Sequence, residues 1–219
     1  MKFERLLQIV GDEPLLETGL ILAGDVNADE IRRQLVRWVA AGKIIQLRRG
    51  LYTLAPPYQK TKPHPFLIAN RLVEPSYVSL QSALAYYNLI PEYVPVVTSV
   101  TTGRPNLKET PLGRYQFQHI QRDWFIGFVP NRVQESQEVF LATPEKALLD
   151  LVYLQPGGDE LPYLRELRLQ NLDHLDRNAL RELAQEISKP KLQRALQNIL
   201  TIMKEETEDT YETLPKPTS

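Results

Sequence analysis

The segment NADEIRRQLVRWVAAGKIIQLRRGLYTL, residues 27–54, decides how the first part of this chain folds. Asn27 is a suitable N-terminal cap, and the acidic side chains of Asp29 and Glu30 suit the positive end of a helix dipole. Apolar residues then recur every three or four positions until Gly42, a residue typical of helix C-termini. The pattern predicts a helix from about residue 28 to residue 41.

A β-hairpin is predicted directly after this helix. Residues 44–47 and 51–54 form two short apolar runs, and the sequence Arg48-Arg49-Gly50 separates them. Glycine supplies the positive φ that a tight turn between two strands requires. The two arginines are therefore expected at the tip of the hairpin.

Two further helices are predicted before residue 27. The apolar residues of segment 3–10 recur at helical spacing, and Gly11 ends that segment. A second apolar run covers residues 15–22 and is closed by Gly24. Three helices followed by a hairpin with a basic tip predict a winged helix-turn-helix over residues 1–58.

The distribution of charge points to a polyanionic partner. The net charge of the chain is −1, yet residues 31–73 contain no Asp or Glu. The basic residues of this stretch are Arg32, Arg33, Arg37, Lys43, Arg48, Arg49, Lys60, Lys62 and Arg71. An unopposed basic segment is the electrostatic footprint of a nucleic-acid partner. On charge alone a second interpretation stays open, in which acidic residues from elsewhere in the fold neutralise the stretch.

The predicted third helix has an apolar and a basic side. Its apolar stripe, which we expect to pack on the first helix, consists of Ile31, Leu35, Trp38 and Val39. Arg33 and Arg37 lie four positions apart on another side, where repulsion costs an isolated helix a few tenths of a kcal/mol that phosphates would offset. In a winged helix the third helix enters the major groove and the wing contacts the flanking backbone. The candidate DNA-binding residues are Arg32, Arg33, Gln34, Arg37, Lys43, Arg48 and Arg49. Inverted repeats in an operator are the expected target.

A Pro-containing linker leads to a second predicted domain, residues 64–203. His64 is interpreted as a residue of this linker. The periodicity of the domain predicts helices over 65–72, 80–87, 144–154, 162–169, 177–187 and 190–203, and strands over 96–102, 113–121, 124–129 and 138–142. The fold class is therefore α+β, with a mainly antiparallel sheet and C-terminal helices. Residues 204–219 are acidic and rich in Thr and Pro, which predicts a disordered tail.

Composition disfavours several classes of function. The chain has no cysteine, which excludes disulfides, thiolate zinc sites and a cysteine nucleophile. No stretch approaches the roughly 18 apolar residues that a membrane-spanning helix needs. The N-terminal residues carry charges within their short apolar runs, unlike a signal peptide. We expect a cytoplasmic protein that uses no metal, no cofactor and no membrane.

Candidate catalytic residues are better explained by structure. Glu145, Lys146 and Asp150 are residue types that nucleases use, but Glu145 suits the first turn of its helix and the other two are expected to pair on the helix surface. A nuclease would need one of these carboxylates near another acid. Tyr86 and Tyr87 are expected to pack at a helix end rather than to stack on bases. We therefore predict no catalytic residue and expect that the chain is not an enzyme.

Three elements of the sequence together resemble a known family. They are GLY at 50–52, YVSLQSALAYYNLIPE at 77–92 and TPEKALLDL at 143–151. In this order and spacing they resemble the AbiEi-type antitoxins of type IV toxin–antitoxin systems, also described as AbiEi-family transcriptional regulators. The resemblance covers roughly residues 35–154, and its middle element is the most specific. Where the family often has Gly, this chain has Asn88, which also permits a left-handed helix end.

The resemblance implies a function for each predicted domain. The winged helix would repress its own operon, and the second domain would counteract a nucleotidyltransferase-type toxin, directly or indirectly, in phage defence. The alternative is a protein-interaction antitoxin or regulator whose winged helix is a scaffold rather than a DNA reader.

Overall fold

The computed structural model describes residues 1–22, 27–134 and 137–212, with side chains described as far as residue 206. Its architecture is α+β, with helices packed on a mainly antiparallel sheet, as the sequence predicts. The N-terminal elements are α1 (Phe3–Val10), β1 (Leu16–Glu17), α2 (Thr18–Ile21), α3 (Ala28–Ala40), β2 (Ile44–Arg48) and β3 (Leu51–Leu54).

The predicted start of α3 is confirmed. The Asn27 side chain accepts hydrogen bonds from the backbone N–H groups of Asp29 and Glu30, both at 3.0 Å. The helix ends before Gly42, whose φ of +64° is in the region that favours glycine. The predicted apolar stripe faces inward, because three of its four residues are buried and Val39 is partly buried against the same cluster.

An aromatic contact fixes α3 against α1. The Phe3 ring meets Trp38 of α3 edge-on, with 5.4 Å between ring centroids. On its other side it meets Tyr58 at 4.9 Å, which brings the segment after the hairpin into the same core. Edge-to-face pairs of this kind add about 0.5–1.5 kcal/mol to the burial of their apolar area.

The predicted second helix differs from the observed structure. The run 15–22 divides into the two-residue strand β1 and the single helical turn α2. Leu16 pairs with Tyr52 of β3, and the N–H of Thr18 donates to the carbonyl of Gly50 at 2.9 Å. Strand pairing therefore competes successfully with helix formation in this run and gives a three-stranded sheet of order β1-β3-β2. The predicted end at Gly24 lies outside the described residues.

The predicted second domain is built around a six-stranded sheet of order β6-β7-β5-β4-β9-β8. Its strands are β4 (Ser76–Val78), β5 (Val96–Thr101), β6 (Asn106–Thr110), β7 (Gly113–His119), β8 (Phe128–Gln134) and β9 (Gln137–Ala142). Its helices are α4 (Pro65–Leu72), α5 (Leu80–Tyr86), α6 (Pro144–Leu154), α7 (Leu161–Glu166), α8 (Arg177–Ile187) and α9 (Pro190–Glu212). Two of the strand pairs, β5 with β7 and β4 with β9, are parallel.

Several strand boundaries differ from those predicted. Segment 124–129 contains the end of a 3₁₀ turn, Arg122–Trp124, and the start of β8 instead of a strand of its own. Strands β4 and β6 are not predicted at all. Every residue of β4 is buried, whereas β6 is an exposed sheet edge whose residues do not alternate between apolar and polar. Neither strand therefore carries the period of two that indicates a half-buried strand.

The C-terminal helix extends further than the sequence predicts. It continues from Pro190 to Glu212, so residues 204–212 of the predicted disordered tail are helical. Met203 is buried in the main core. Glu205 forms an ion pair with Arg165 of α7, with 3.3 Å between Oε1 and Nη2. These contacts anchor the helix beyond its apolar stripe. Residues 213–219 lie outside the described part.

The segment between the two predicted domains is held in place by hydrogen bonds to Gln137 of β9. The side-chain amide of Gln137 on β9 donates to the carbonyl of Lys62 at 2.9 Å, and its oxygen accepts from the N–H of His64 at 2.7 Å. His64 is the N-terminal cap of α4 rather than a free linker residue, since its Nδ1 accepts from the N–H of Phe66 at 3.1 Å.

The hairpin β2–β3 also contacts the second domain. Leu47 and Leu51 belong to the main hydrophobic core, whereas the rest of the N-terminal core forms a separate cluster. Arg71, at the end of α4, forms an ion pair with Glu17 of β1, with 3.7 Å between Nη1 and Oε1. The orientation of the hairpin is therefore set by both domains.

Candidate nucleic-acid interface

Three of the predicted DNA-binding residues project from the outer side of α3. Arg32, Arg33 and Arg37 are exposed, while Gln34 is partly buried beside them. The helical periodicity of the sequence predicts all four positions. Ile31, Leu35 and Trp38 form the buried stripe of α3, and these four residues occupy positions outside it.

Two of these residues are already engaged within α3. Arg32 forms an ion pair with Asp29, with 2.9 Å between Nη1 and Oδ1. Gln34 donates to Glu30 Oε1 at 2.8 Å, and the same oxygen accepts from the amino group of Met1 at 3.1 Å. The exposed Arg32–Asp29 pair is worth at most about 1 kcal/mol, so Arg32 remains available to a stronger anion.

Arg33 and Arg37 have no such partner. Within the described residues neither guanidinium lies within 4.0 Å of a carboxylate, and both are exposed to solvent. The two like charges are one helical turn apart, which raises the free energy of the folded chain slightly. This is the part of α3 at which an anion would gain most.

The two arginines of the hairpin tip have different roles. Arg48 donates from Nε and Nη2 to the carbonyl of Arg71 at 3.1 and 2.9 Å, and from Nη1 to the carbonyl of Arg49 at 3.1 Å. Its guanidinium thus provides hydrogen-bond donors for the Arg71 carbonyl at the C-terminal end of α4. The side chain of Arg49 makes no hydrogen bond or ion pair among the described residues. Both residues are exposed, but only the side chain of Arg49 is without a partner among the described residues.

Lys43 is directed inward by its neighbours. Its ammonium lies 4.6 Å from the centroid of the Phe3 ring, and the side chain is partly buried. A cation over an aromatic face contributes about 0.5–1 kcal/mol at a surface site. The geometry therefore gives Lys43 a packing role in the N-terminal core.

A groove of about 530 Å³ separates α3 from the hairpin. Arg32 and Arg49 line its two sides, and Val36 is exposed on its edge with 70% of its surface accessible. Val36 is the residue of this surface that sequence reasoning missed. Arg33 and Arg37 do not line the groove, since each follows a lining residue and is rotated by about 100° toward the outside of the helix.

Neighbouring acids neutralise part of the basic stretch. Lys60 pairs with Asp12 at 3.1 Å, and Arg71 approaches Glu74 at 3.6 Å as well as Glu17. The interpretation in which other segments supply the counter-charges therefore holds for some members of the stretch. Those without a carboxylate partner among the described residues are Arg33, Arg37, Lys43, Arg48, Arg49 and Lys62.

The prediction that Lys146 and Asp150 pair on a helix surface is wrong. Both side chains are fully buried, and the Lys146 ammonium donates to Asp150 Oδ1 inside the domain. The other carboxylate oxygen accepts from the hydroxyls of Tyr77 at 2.9 Å and Ser79 at 2.7 Å. Burial, and then the charge of Asp150, raise the pKa of the Tyr77 phenol, which keeps its proton and donates.

This buried cluster is structural. Glu145, also buried, accepts from the backbone N–H of Asp176 at 2.9 Å and so holds the start of α8. Lys146, Asp150, Tyr77, Ser79 and Glu145 each have a hydrogen-bond partner inside the protein. No group of three His, Asp or Glu side chains that could hold a metal ion occurs in the described part of the chain. No helix there is long and apolar enough to cross a membrane.

Replacing Lys146 by Met is expected to lower the free energy of unfolding by about 3–5 kcal/mol, because it leaves a buried carboxylate without its cation. Burial raises the pKa of Asp150, against the lowering effect of the Lys146 ammonium. Without that ammonium the folded variant binds a proton more tightly than the unfolded chain, so its stability falls as the pH rises above about 4. Urea denaturation at pH 5 and pH 8 measures both effects.

The double variant Lys146→Met/Asp150→Asn is the matched control. The neutral amide oxygen still accepts from the Tyr77 and Ser79 hydroxyls, so part of the lost stability returns and the added pH dependence disappears. Equal stability of Lys146→Met and the wild type would contradict the structural role of this pair.

No protein-family model matches the chain, and no curated protein matches it either.

Proposed function

We propose that residues 1–58 form a winged helix-turn-helix that binds double-stranded DNA. The observation that carries the proposal is the exposure of Arg33, Arg37 and Arg49 without a carboxylate partner among the described residues. In this arrangement α3 enters the major groove and the tip of the hairpin β2–β3 contacts the flanking backbone. The order of helices and the antiparallel sheet β1-β3-β2 support the same architecture.

The proposed interface is smaller than the set of residues predicted from sequence. Arg33, Arg37 and Arg49 are free to bind phosphates, and Arg32 can exchange Asp29 for a phosphate at little cost. Lys43 and Arg48 are committed to the fold by the Phe3 ring and the Arg71 carbonyl. Gln34 donates a hydrogen bond to Glu30, one turn earlier in the same helix, and so stabilises α3.

We further propose that the whole chain is an AbiEi-type antitoxin and autorepressor of a type IV toxin–antitoxin system. The proposal rests on the motifs at 77–92 and 143–151. These motifs meet in space, because Tyr77 and Ser79 of the first donate to Asp150 of the second. The residues that carry the resemblance thus build one core rather than an exposed catalytic centre, which supports a binding function over an enzymatic one.

The alternative, a winged helix that serves only as a protein-binding scaffold, is favoured by the exposed Val36 and the apolar lining of its groove. DNA and protein partners differ in their dependence on salt. Phosphate contacts release counterions and lose affinity steeply as salt rises, whereas an apolar protein contact does not. The salt dependence of the binding affinity therefore distinguishes the two kinds of partner.

The variant Arg33→Ala/Arg37→Ala is expected to weaken binding to DNA from upstream of its own gene. The slope of log K against log salt should become shallower by about 2, since each phosphate contact contributes roughly 0.9. Titration by fluorescence anisotropy at several salt concentrations measures this slope. The variant Arg165→Ala/Arg181→Ala removes the same charge from α7 and α8 and should leave the slope unchanged. If both double variants bind alike, α3 is not the DNA-binding element.

The hairpin arginines provide a second, internal comparison. Arg49→Ala should reduce the salt slope by roughly one phosphate contact and leave the free energy of unfolding unchanged. Arg48→Ala should lower the free energy of unfolding by about 1 kcal/mol, through its lost bonds to Arg71, with a smaller effect on the slope. Urea denaturation and DNA titration of both variants test this division. The reverse pattern would show that Arg48 is the residue that contacts DNA.

The antitoxin role predicts a gene for a nucleotidyltransferase-type toxin beside this one, and co-expression of the chain with that toxin tests the role. The wild-type chain and the Arg33→Ala/Arg37→Ala variant should both restore growth, because the proposed antitoxin activity belongs to the second domain. Lys146→Met, which disrupts the core of that domain, should fail to do so. Continued growth arrest with the wild-type chain would refute the antitoxin role and leave the DNA-binding proposal intact.

A further inference from the structure

The exposed side of α3 carries an aliphatic side chain that the proposed phosphate contacts do not use. Val36 has 70% of its surface accessible, the highest fraction of any large aliphatic side chain in the described part of the chain. A β-branched residue at an exposed helix position is also less favourable than alanine. Neither burial nor helix propensity therefore explains this valine.

Val36 lies between two groups of basic side chains. Successive residues of an α-helix are about 100° apart around its axis, which places Val36 about 40° from Arg32 and about 60° from Arg33. On the first side, Arg32 lines the groove between α3 and the hairpin, and Arg49 lines it from the hairpin. On the second side are Arg33 and Arg37, which have no carboxylate partner among the described residues. The valine is thus flanked by cations on both sides.

Ala40 extends the aliphatic part of this surface by one turn. It is exposed, and it lies about 40° from Val36 around the helix axis, on the side away from Arg32. The other exposed positions of α3 from residue 31 onward are the three arginines. The exposed side of the helix is therefore a strip with methyl groups along its middle and guanidinium groups at its edges.

This order of groups matches the cross-section of the major groove of DNA. The groove is about 12 Å wide and admits one α-helix, with base edges on its floor and a phosphate backbone on each side. In the proposed orientation of α3, the guanidinium groups reach the backbones and the middle of the strip meets the base edges. The apolar group that unmodified base pairs present there is the C5-methyl of thymine. A valine at this position has no other group on the floor that it can bind favourably.

We propose that Val36 contacts the C5-methyl group of a pyrimidine in the major groove and gives the protein a preference for that base. The inference rests on the proposed binding of DNA by α3. The methyl group belongs to thymine in unmodified DNA and to 5-methylcytosine in methylated DNA. Phosphate contacts from Arg33 and Arg37 are common to all sequences, so Val36 supplies selectivity that those contacts lack.

Replacement of thymine by uracil removes this methyl group and keeps the hydrogen bonds of the base pair. Short synthetic duplexes that cover the DNA upstream of this gene, each made with thymine and with uracil, are titrated with the full chain by fluorescence anisotropy. The duplex that binds most tightly should lose affinity about three- to fivefold for each methyl group that Val36 contacts. In a second series 5-methylcytosine replaces cytosine, and a gain of similar size would assign the contact to that base.

The outcomes separate this inference from the proposed function. Equal affinities in both series would overturn the methyl contact and leave DNA binding by α3 intact. Absence of binding to every duplex would overturn both. The variant Arg33→Ala/Arg37→Ala should weaken the thymine and uracil duplexes by the same factor, because phosphates are identical in the two.

Val36→Ala separates a direct contact from an effect of the methyl group on DNA shape. The variant should bind thymine and uracil duplexes alike, because its side chain is too short to reach the methyl group. Its free energy of unfolding should be equal to that of the wild type or slightly higher, since alanine is favourable at an exposed helix position. If the wild type and Val36→Ala lose the same affinity on replacement of thymine, the methyl group acts through DNA shape and the contact is refuted.

Val129→Ala on β8 is the matched control. Val129 is also an exposed valine, with 43% of its surface accessible, but it belongs to the six-stranded sheet. This variant should keep the wild-type ratio of affinities for the thymine and uracil duplexes. A ratio that falls to one in Val129→Ala as well would show that the preference does not come from Val36.

Discussion

The predicted second domain depends on the ion pair and hydrogen bonds of the buried Asp150 carboxylate. A charge inside a protein is tolerated only when its hydrogen bonds are complete, since the cost of removing an ion from water is several kcal/mol. Lys146, Tyr77 and Ser79 together meet that requirement. In doing so they fix α6 against β4 and the start of α5.

The N-terminal unit depends on this framework through its hairpin. Leu47 and Leu51 enter the main core, and Arg48 satisfies the carbonyl of Arg71 at the end of α4. The contact explains why two adjacent arginines with the same sequence environment have different roles. It also means that the position of Arg49 relative to α3 is set by the second domain, so the two domains are joined by contacts as well as by the linker.

Sequence alone predicts the features that are local. Asn27, Thr143 and Asn88 define helix ends through their own backbone neighbours, and the structure has them in those positions. The inward stripe of α3 and its basic outer side follow from helical periodicity. Predictions over these segments succeed because every interaction involved lies within one or two turns.

Predictions fail where a partner distant in sequence decides the outcome. A lysine and an aspartate four residues apart give the same pattern in a surface helix and in a buried one. The difference comes from Tyr77 and Ser79, which are 73 and 71 residues away from Asp150. The run 15–22 has enough apolar residues for a helix, but pairing with β3 makes its first part a strand.

The unpaired charges of α3 have a physical cost that the folded chain does not recover. Arg33 and Arg37 repel each other across one turn, although a glutamate at either position would convert the repulsion into an attractive pair of similar magnitude. Nearby basic residues show that this chain does use such compensation, since Arg32, Lys60 and Arg71 all have acidic partners. Stability therefore does not explain the two free arginines. Residues that weaken the folded state slightly are typical of binding surfaces, where stability is exchanged for function. In the proposed interface, a DNA phosphate backbone would supply the negative charge that the rest of the described chain does not place there.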